Sequence, residues 1–154
     1  MDAIQRITSF TIDHDKLLPG LYVSRIDGDV TTYDLRTRRP NTGELMDNAT
    51  MHSLEHMFAT YIRNGKLASQ VVYFGPMGCQ TGFYLLVRDA DNAVVLDEVR
   101  RTLQRILCHE GPVFGSTRKE CGNYINLDLS LAQAEARRYS SELSARPVTF
   151  VYEE

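Results

Sequence analysis

The residues of this chain best suited to chemistry are His52-Ser53-Leu54-Glu55-His56. Side chains four apart on a helix stack one turn apart on the same face, so the imidazoles of His52 and His56 can converge on a single ion. Glu55 falls next to that pair, placing a carboxylate beside the ion. A catalytic ion needs three protein ligands and an open position, and the helix supplies only two. The candidates for a third are His14, His109, Cys79, Cys121 and any carboxylate, and composition does not choose among them. Cysteine would be the softest of these; as a thiolate it would lower the net charge of the site and suit zinc or ferrous iron.

His-x-x-Glu-His is also the inverted form of a zinc-peptidase signature, in which Glu55 would activate water. That reading leaves Cys79 without a role and asks a chain of 154 residues to build a peptide cleft. A third reading makes the histidine pair part of a structural site closed by four protein ligands. Replacing Cys79 with alanine separates an enzyme that needs the thiol from a peptidase that does not.

The element that must carry the histidine pair is a helix between Asp47 and Gly65. Asp47 or Asn48 can cap its start, no Pro or Gly interrupts it, and Asn64-Gly65 supplies a left-handed stop. Met51, Leu54, Phe58, Tyr61 and Ile62 form an apolar arc that turns toward a core, leaving the His/Glu edge at the border of a cleft.

Cys79 follows Gly75-Pro76-Met77-Gly78, between β-rich residues 71–74 and 81–88. The two glycines and the proline permit a backbone shape that other residues resist, and they hold the thiol at the tip of a tight link. Cys121 precedes Gly122 in a second turn, and Cys108 reads as a small, semi-buried residue near a helix end. Three cysteines are an odd number, better read as thiols than as a disulfide frame.

The rest of the chain supplies the scaffold. Residues 9–12 read as a short strand, followed by His14 between two acids. Residues 21–26 and 30–36 form a hairpin about Asp27-Gly28, with Thr31, Tyr33 and Leu35 on one face and Asp34 and Arg36 on the other. Arg36, Arg38 and Arg39 make a basic patch suited to an anion, with Arg38 and Arg39 expected in solvent. Residues 94–109 place Leu96, Val99, Leu103, Ile106 and Leu107 at helical spacing, with Arg100, Arg101 and Arg105 opposite. Ser130 to Gln133 reads as a capping box for a last helix with Ala132, Ala136, Tyr139 and Leu143 inward; Pro147 ends it, and residues 148–152 are expected to add an edge strand. Hairpins with three helices, no repeat and no linker indicate an α+β fold. It has a mainly antiparallel sheet, about three helices packed on one side, and a single domain over 1–154.

A formal charge of -3 argues against a general nucleic-acid binder. The start of the chain lacks a secretion pattern and no stretch has the apolar length of a membrane span, which makes a cytoplasmic protein the default.

Three stretches together resemble a known family. They are His52-Ser53-Leu54-Glu55-His56, Pro76-Met77-Gly78-Cys79-Gln80-Thr81-Gly82-Phe83-Tyr84 and Glu120-Cys121-Gly122. With Ser9-Phe10, Asp13-His14, Tyr33-Asp34-Leu35-Arg36 and Pro40-Asn41, they closely resemble S-ribosylhomocysteine lyase, which makes the precursor of autoinducer-2. The resemblance implies that His52, His56 and Cys121 bind a ferrous ion, for which zinc or cobalt can substitute. It implies that Glu55 and Cys79 are the acid/base groups and that Ser9, His14 and Arg36 hold substrate. It also implies a homodimer with active sites at the interface, so that some of these residues serve the partner's metal. The chain departs from the pattern at Tyr73 and Thr37, which bears on contacts to the amino-acid end of the substrate. The implied reaction moves the sugar carbonyl from C1 to C3 through enediolates and then eliminates homocysteine across C4 and C5.

Overall fold

In the computed structural model, which describes residues 2–153, a four-stranded antiparallel sheet carries three helices. The strands are β1 (Gly20–Asp27), β2 (Val30–Arg36), β3 (Val71–Pro76) and β4 (Gly82–Arg88), in the spatial order β1-β2-β4-β3. The helices are α1 (Asn48–Ile62), α2 (Asn92–Leu107) and α3 (Leu129–Ala145). The expected α+β architecture is present, with both hairpins in place and Gly28 at positive φ in the first turn.

Strand alternation decides where the chemistry sits. Leu21, Tyr33, Leu35, Phe83 and Leu85 point into the core shared with the helices. Asp34 and Arg36 therefore point to the opposite face of the sheet. The register places Tyr22, Asp34 and Tyr84 in one cross-strand row on that outer face.

An isolated helix of fifteen residues is marginal in water, so α1 is held by burial. Leu54, Met57, Phe58 and Ile62 are each at most 1% exposed, and burying such a side chain is worth about 1.5–3 kcal/mol relative to leaving it in water. Asp47 caps the helix as expected, its carboxylate accepting from the Thr50 amide at 2.7 Å. Hydrogen bonds from the Thr50 side chain and amide hold the Asp47 carboxyl below its usual value of 3.8. A carboxyl depressed in the folded state stabilises above its unfolded value, and the effect is lost as pH falls through the folded one. Asp47→Ala should thus cost about 1 kcal/mol at neutral pH. Urea midpoints for the two proteins should draw together once the medium is more acidic than about pH 4.

Several sequence expectations change in the fold. Gly65 is not left-handed; α1 ends at Arg63 in ordinary αR geometry. A Cβ at 65 would lie 2.5 Å from Oε2 of buried Glu98, so any larger residue there must displace that carboxylate. Residues 9–12 form no strand: Thr8–Phe10 is a single 3-10 turn. The cap of α3 is Asp128, which accepts from the amide of Ser130, rather than Ser130 itself. Residues 148–152 add one parallel bridge, Tyr22 to Phe150, and no strand, since Phe150 takes a positive φ that breaks extension. Arg38 is not solvated: its guanidinium meets Glu135 of α3 in two hydrogen bonds of 3.0 and 2.7 Å. Glu135 is 2% exposed and requires that cation. Arg39 is exposed as expected, and Cys108 is exposed at the C-cap of α2 rather than semi-buried. Among the described residues no helix is long and apolar enough to cross a membrane.

Candidate metal centre and thiol cleft

His52 and His56 stand one turn apart on α1, their rings edge to face with centroids 4.6 Å apart. The chain between α2 and α3 folds back over them and brings Cys121 to the pair. Its sulfur lies 3.3 Å from Nε2 of His52 and 3.8 Å from Nε2 of His56. The three candidate ligand atoms all lie within 4.8 Å of one another.

The donor set fits a mononuclear ion. With metal–sulfur and metal–nitrogen bonds of ~2.3 and ~2.05 Å, a tetrahedral site has a sulfur–nitrogen edge of about 3.6 Å, and the two observed separations bracket it. Each imidazole is also turned correctly. His56 Nδ1 donates to the carbonyl of Phe114 at 2.8 Å, and His52 Nδ1 donates to Oδ1 of Asn126. Those bonds fix the proton on Nδ1 and leave both Nε2 lone pairs aimed at the shared point. The amide of Asn123 donates to the Cys121 sulfur at 3.4 Å. Among the described residues, Cys121 is the third-ligand candidate that joins the pair. His109 instead bonds Tyr61 and the carbonyl of Pro112.

Local structure explains why the loop holds its shape. Cys121 closes a turn on Thr117, its amide bonding that carbonyl at 3.1 Å. Gly115 has φ +66, and a Cβ there would press within 3.2 Å of Nδ1 of His56. Further along, Asn126 donates to Asn48 at the start of α1, and the Asp128 amide donates to Ser53. Asn126 and the Phe114 carbonyl are supports that the sequence did not reveal. Asn126→Ala should weaken metal binding by about 10- to 100-fold. Competition with a chromophoric chelator measures this directly.

Glu55 lies with His56, Ala59, Thr60, Phe74, Phe114 and Gly115 in a shallow hollow of about 300 Å³. It is half-buried and has no hydrogen bond or ion pair among the described residues. Its carboxylate is therefore available next to the histidine pair.

Cys79 sits elsewhere. It lines a second cleft of about 360 Å³ with Ser9, His14, Arg36, Met77 and Tyr84, on the outer face of the sheet. The tight link is a turn closed by Met77 and Gly82, and its positive φ falls on Gln80 rather than on Gly75 or Gly78. Gly82 is needed because a Cβ would lie 2.7 Å from the Leu35 carbonyl. Arg36 is 2% exposed and grips Asp34 through Nε at 3.1 Å and Nη2 at 2.7 Å. Burial opposes its charge, but the Asp34 carboxylate more than offsets this and raises the guanidinium above its usual value. Arg36 Nη1 lies 3.8 Å from the Cys79 sulfur. His14 Nδ1 bonds the Ile12 carbonyl at 2.9 Å, and Ser9 contacts Tyr84.

The eight singled-out side chains thus fall into two groups. The hollow of Glu55 and His56 shares no lining residue with the cleft of Cys79, Ser9, His14 and Arg36. One group belongs to the helical layer and the other to the far side of the sheet.

Comparison with known proteins gives a consistent result. The profile of the family described as S-Ribosylhomocysteinase (LuxS) matches residues 7–148. A protein of Finegoldia magna named S-ribosylhomocysteine lyase is 45% identical, over 88% of this chain and 90% of its own length. A protein of the same name from Clostridium beijerinckii is 42% identical, over 91% and 92%. Another, from Phocaeicola vulgatus, is 42% identical over 91% of each.

Proposed function

The chain belongs to the S-ribosylhomocysteinase (LuxS) family, and from that premise we infer how its residues divide the reaction. It is a metal-dependent carbon-sulfur lyase that converts S-ribosylhomocysteine to homocysteine and 4,5-dihydroxy-2,3-pentanedione, the autoinducer-2 precursor. The observation that carries this reading is the convergence of His52, His56 and Cys121 on one point, in a chain with this family's sequence. His52, His56 and Cys121 would hold the ion, which is ferrous iron in this proposal, with zinc or cobalt as substitutes. When bound, it supplies Lewis-acid stabilisation of negative charge on the sugar oxygens, worth several kcal/mol.

The remaining residues move protons and hold the sugar. A thiolate on C5 leaves poorly until a carbanion forms beside it, so the carbonyl must first travel along the ribose. One base takes the C2 proton and returns it to C1, which puts the carbonyl at C2. The C3 proton then goes to C2, which puts the carbonyl at C3. Loss of the C4 proton finally expels homocysteine from C5, and the enol formed tautomerises to the dione. These transfers occur on both sides of the sugar, which is why Glu55 and Cys79 are both needed. Ser9, His14 and Arg36 bind and orient the substrate beside Cys79.

Two groups on opposite sides of one sheet cannot enclose one pentose within a single chain. We propose that a second copy completes each site, so that Glu55 and the metal ligands of one subunit face Cys79, Ser9, His14 and Arg36 of its partner. The exposed apolar side chains of Ile7 and Phe10, the latter lining the Cys79 cleft, support this homodimer. The whole chain, 1–154, acts as one lyase domain in the cytoplasm on a small-molecule substrate, without nucleic acid.

The direct test is anaerobic incubation of the iron-loaded protein with S-ribosylhomocysteine, reading free thiol. Stoichiometric thiol release is expected. No release from protein with full metal occupancy would overturn the reading.

A further inference from the structure

The side chains behind Cys79 fix the direction of a hydrogen bond that the reaction can use. Arg36 has its Nε and Nη2 committed to Asp34, and Asp34 is held in turn by the Tyr152 hydroxyl at 2.8 Å. Nη1 is left, and it donates to Oγ1 of Thr81 at 2.7 Å. The same Thr81 oxygen lies 3.0 Å from the Cys79 sulfur. A guanidinium only donates, so Thr81 must accept from Arg36, and its single hydrogen remains for the sulfur. With a neutral thiol donating to Thr81, that hydrogen would have no partner beside a side chain only 2% exposed. The sulfur can instead accept that hydrogen, and an accepted hydrogen bond is strongest when the acceptor carries charge.

We propose that Thr81 is a positioning residue of the lyase reaction, whose hydroxyl, oriented by Arg36, donates to the Cys79 sulfur and holds it as the proton-accepting thiolate. The proposal rests on the reading of Cys79 as an acid/base group. The Arg36 charge reaches the sulfur directly only at 3.8 Å, so Thr81 supplies the close contact. Hydrogen bonds to charged groups are the strong ones, and losing this one should reduce the thiolate population by about tenfold or more.

The test compares Thr81→Val, nearly isosteric, with Thr81→Ser, which keeps the hydroxyl. Iodoacetamide labelling of Cys79 at neutral pH, followed by mass spectrometry of its peptide, reports the thiolate directly. The assay uses the metal-loaded full chain, with metal content checked in each variant. Thr81→Val should slow labelling of Cys79 by about tenfold or more and lower kcat with metal content unchanged, whereas Thr81→Ser should restore both. Should Thr81→Val not fold, Thr81→Ala carries the same expectation. Unchanged labelling in the valine or alanine variant, or equal loss in the serine variant, overturns the proposal alone. Slowed labelling with undiminished turnover overturns it together with the assignment of Cys79, and a fully active Cys79→Ala enzyme would identify that second failure.

Discussion

Cys121→Ala should strip the ion and abolish turnover in one step. The sulfur is the only ligand that comes from outside α1, lying 3.3 and 3.8 Å from the two imidazole nitrogens. Without it the site keeps two nitrogens, too few for a catalytic ion. Loss of several kcal/mol of charge stabilisation at the oxygens amounts to roughly a 10³-fold fall in kcat/KM. His52→Ala should behave in the same way, because it too leaves only two of the three clustered ligands. Metal analysis after gel filtration, paired with thiol-release rates, checks both variants. A Cys121→Ala protein that retains stoichiometric metal and normal turnover would remove the sulfur from the site.

Glu55→Ala and Cys79→Ala should do the opposite, keeping metal while turnover falls by about 10²- to 10⁴-fold. Neither side chain is among the three clustered ligands. Their positions on different sides of the sheet give a sharper test when inactive subunits are mixed. Cys79→Ala subunits retain the ligand set, and His52→Ala subunits retain the thiol. If each site draws on two copies, a mixed dimer contains one intact site, and random reassortment should restore about a quarter of the original specific activity. If both groups serve within one chain, mixing inactive proteins restores nothing. The experiment separates these outcomes without any structure of the assembly.

The legible parts of the sequence were those with local causes. The metal helix follows from a four-residue spacing, an aspartate cap and an apolar arc, all within twenty residues. The β1–β2 hairpin follows from Asp27-Gly28 between alternating segments. Cys121 lies 69 residues from His52 in the chain, and only the path of the loop after α2 brings them together. The Phe114 carbonyl carries no side-chain signature at all. A polar residue five positions after Cys121 was the one available hint of Asn126. Arg38 was misread because its partner Glu135 lies 97 residues away, on the buried face of α3. Residues 9–12 and 148–152 have β-forming side chains, but neither extends the sheet as a strand, and propensity without a neighbour leaves a turn and a lone bridge.

The separation of the two clefts also bears on how such a chain can vary over time. Ser9, Phe10 and His14 line one cleft, while the loop carrying Gly115 and Cys121 borders the other. In a dimer built as proposed, these stretches answer to each other across two molecules rather than within one. A substitution that drifts into one should be tolerated only with a compensating change in the other. Pairs of positions distant in the folded monomer would then change in step among descendants, a pattern that intrachain distances alone would mistake for noise.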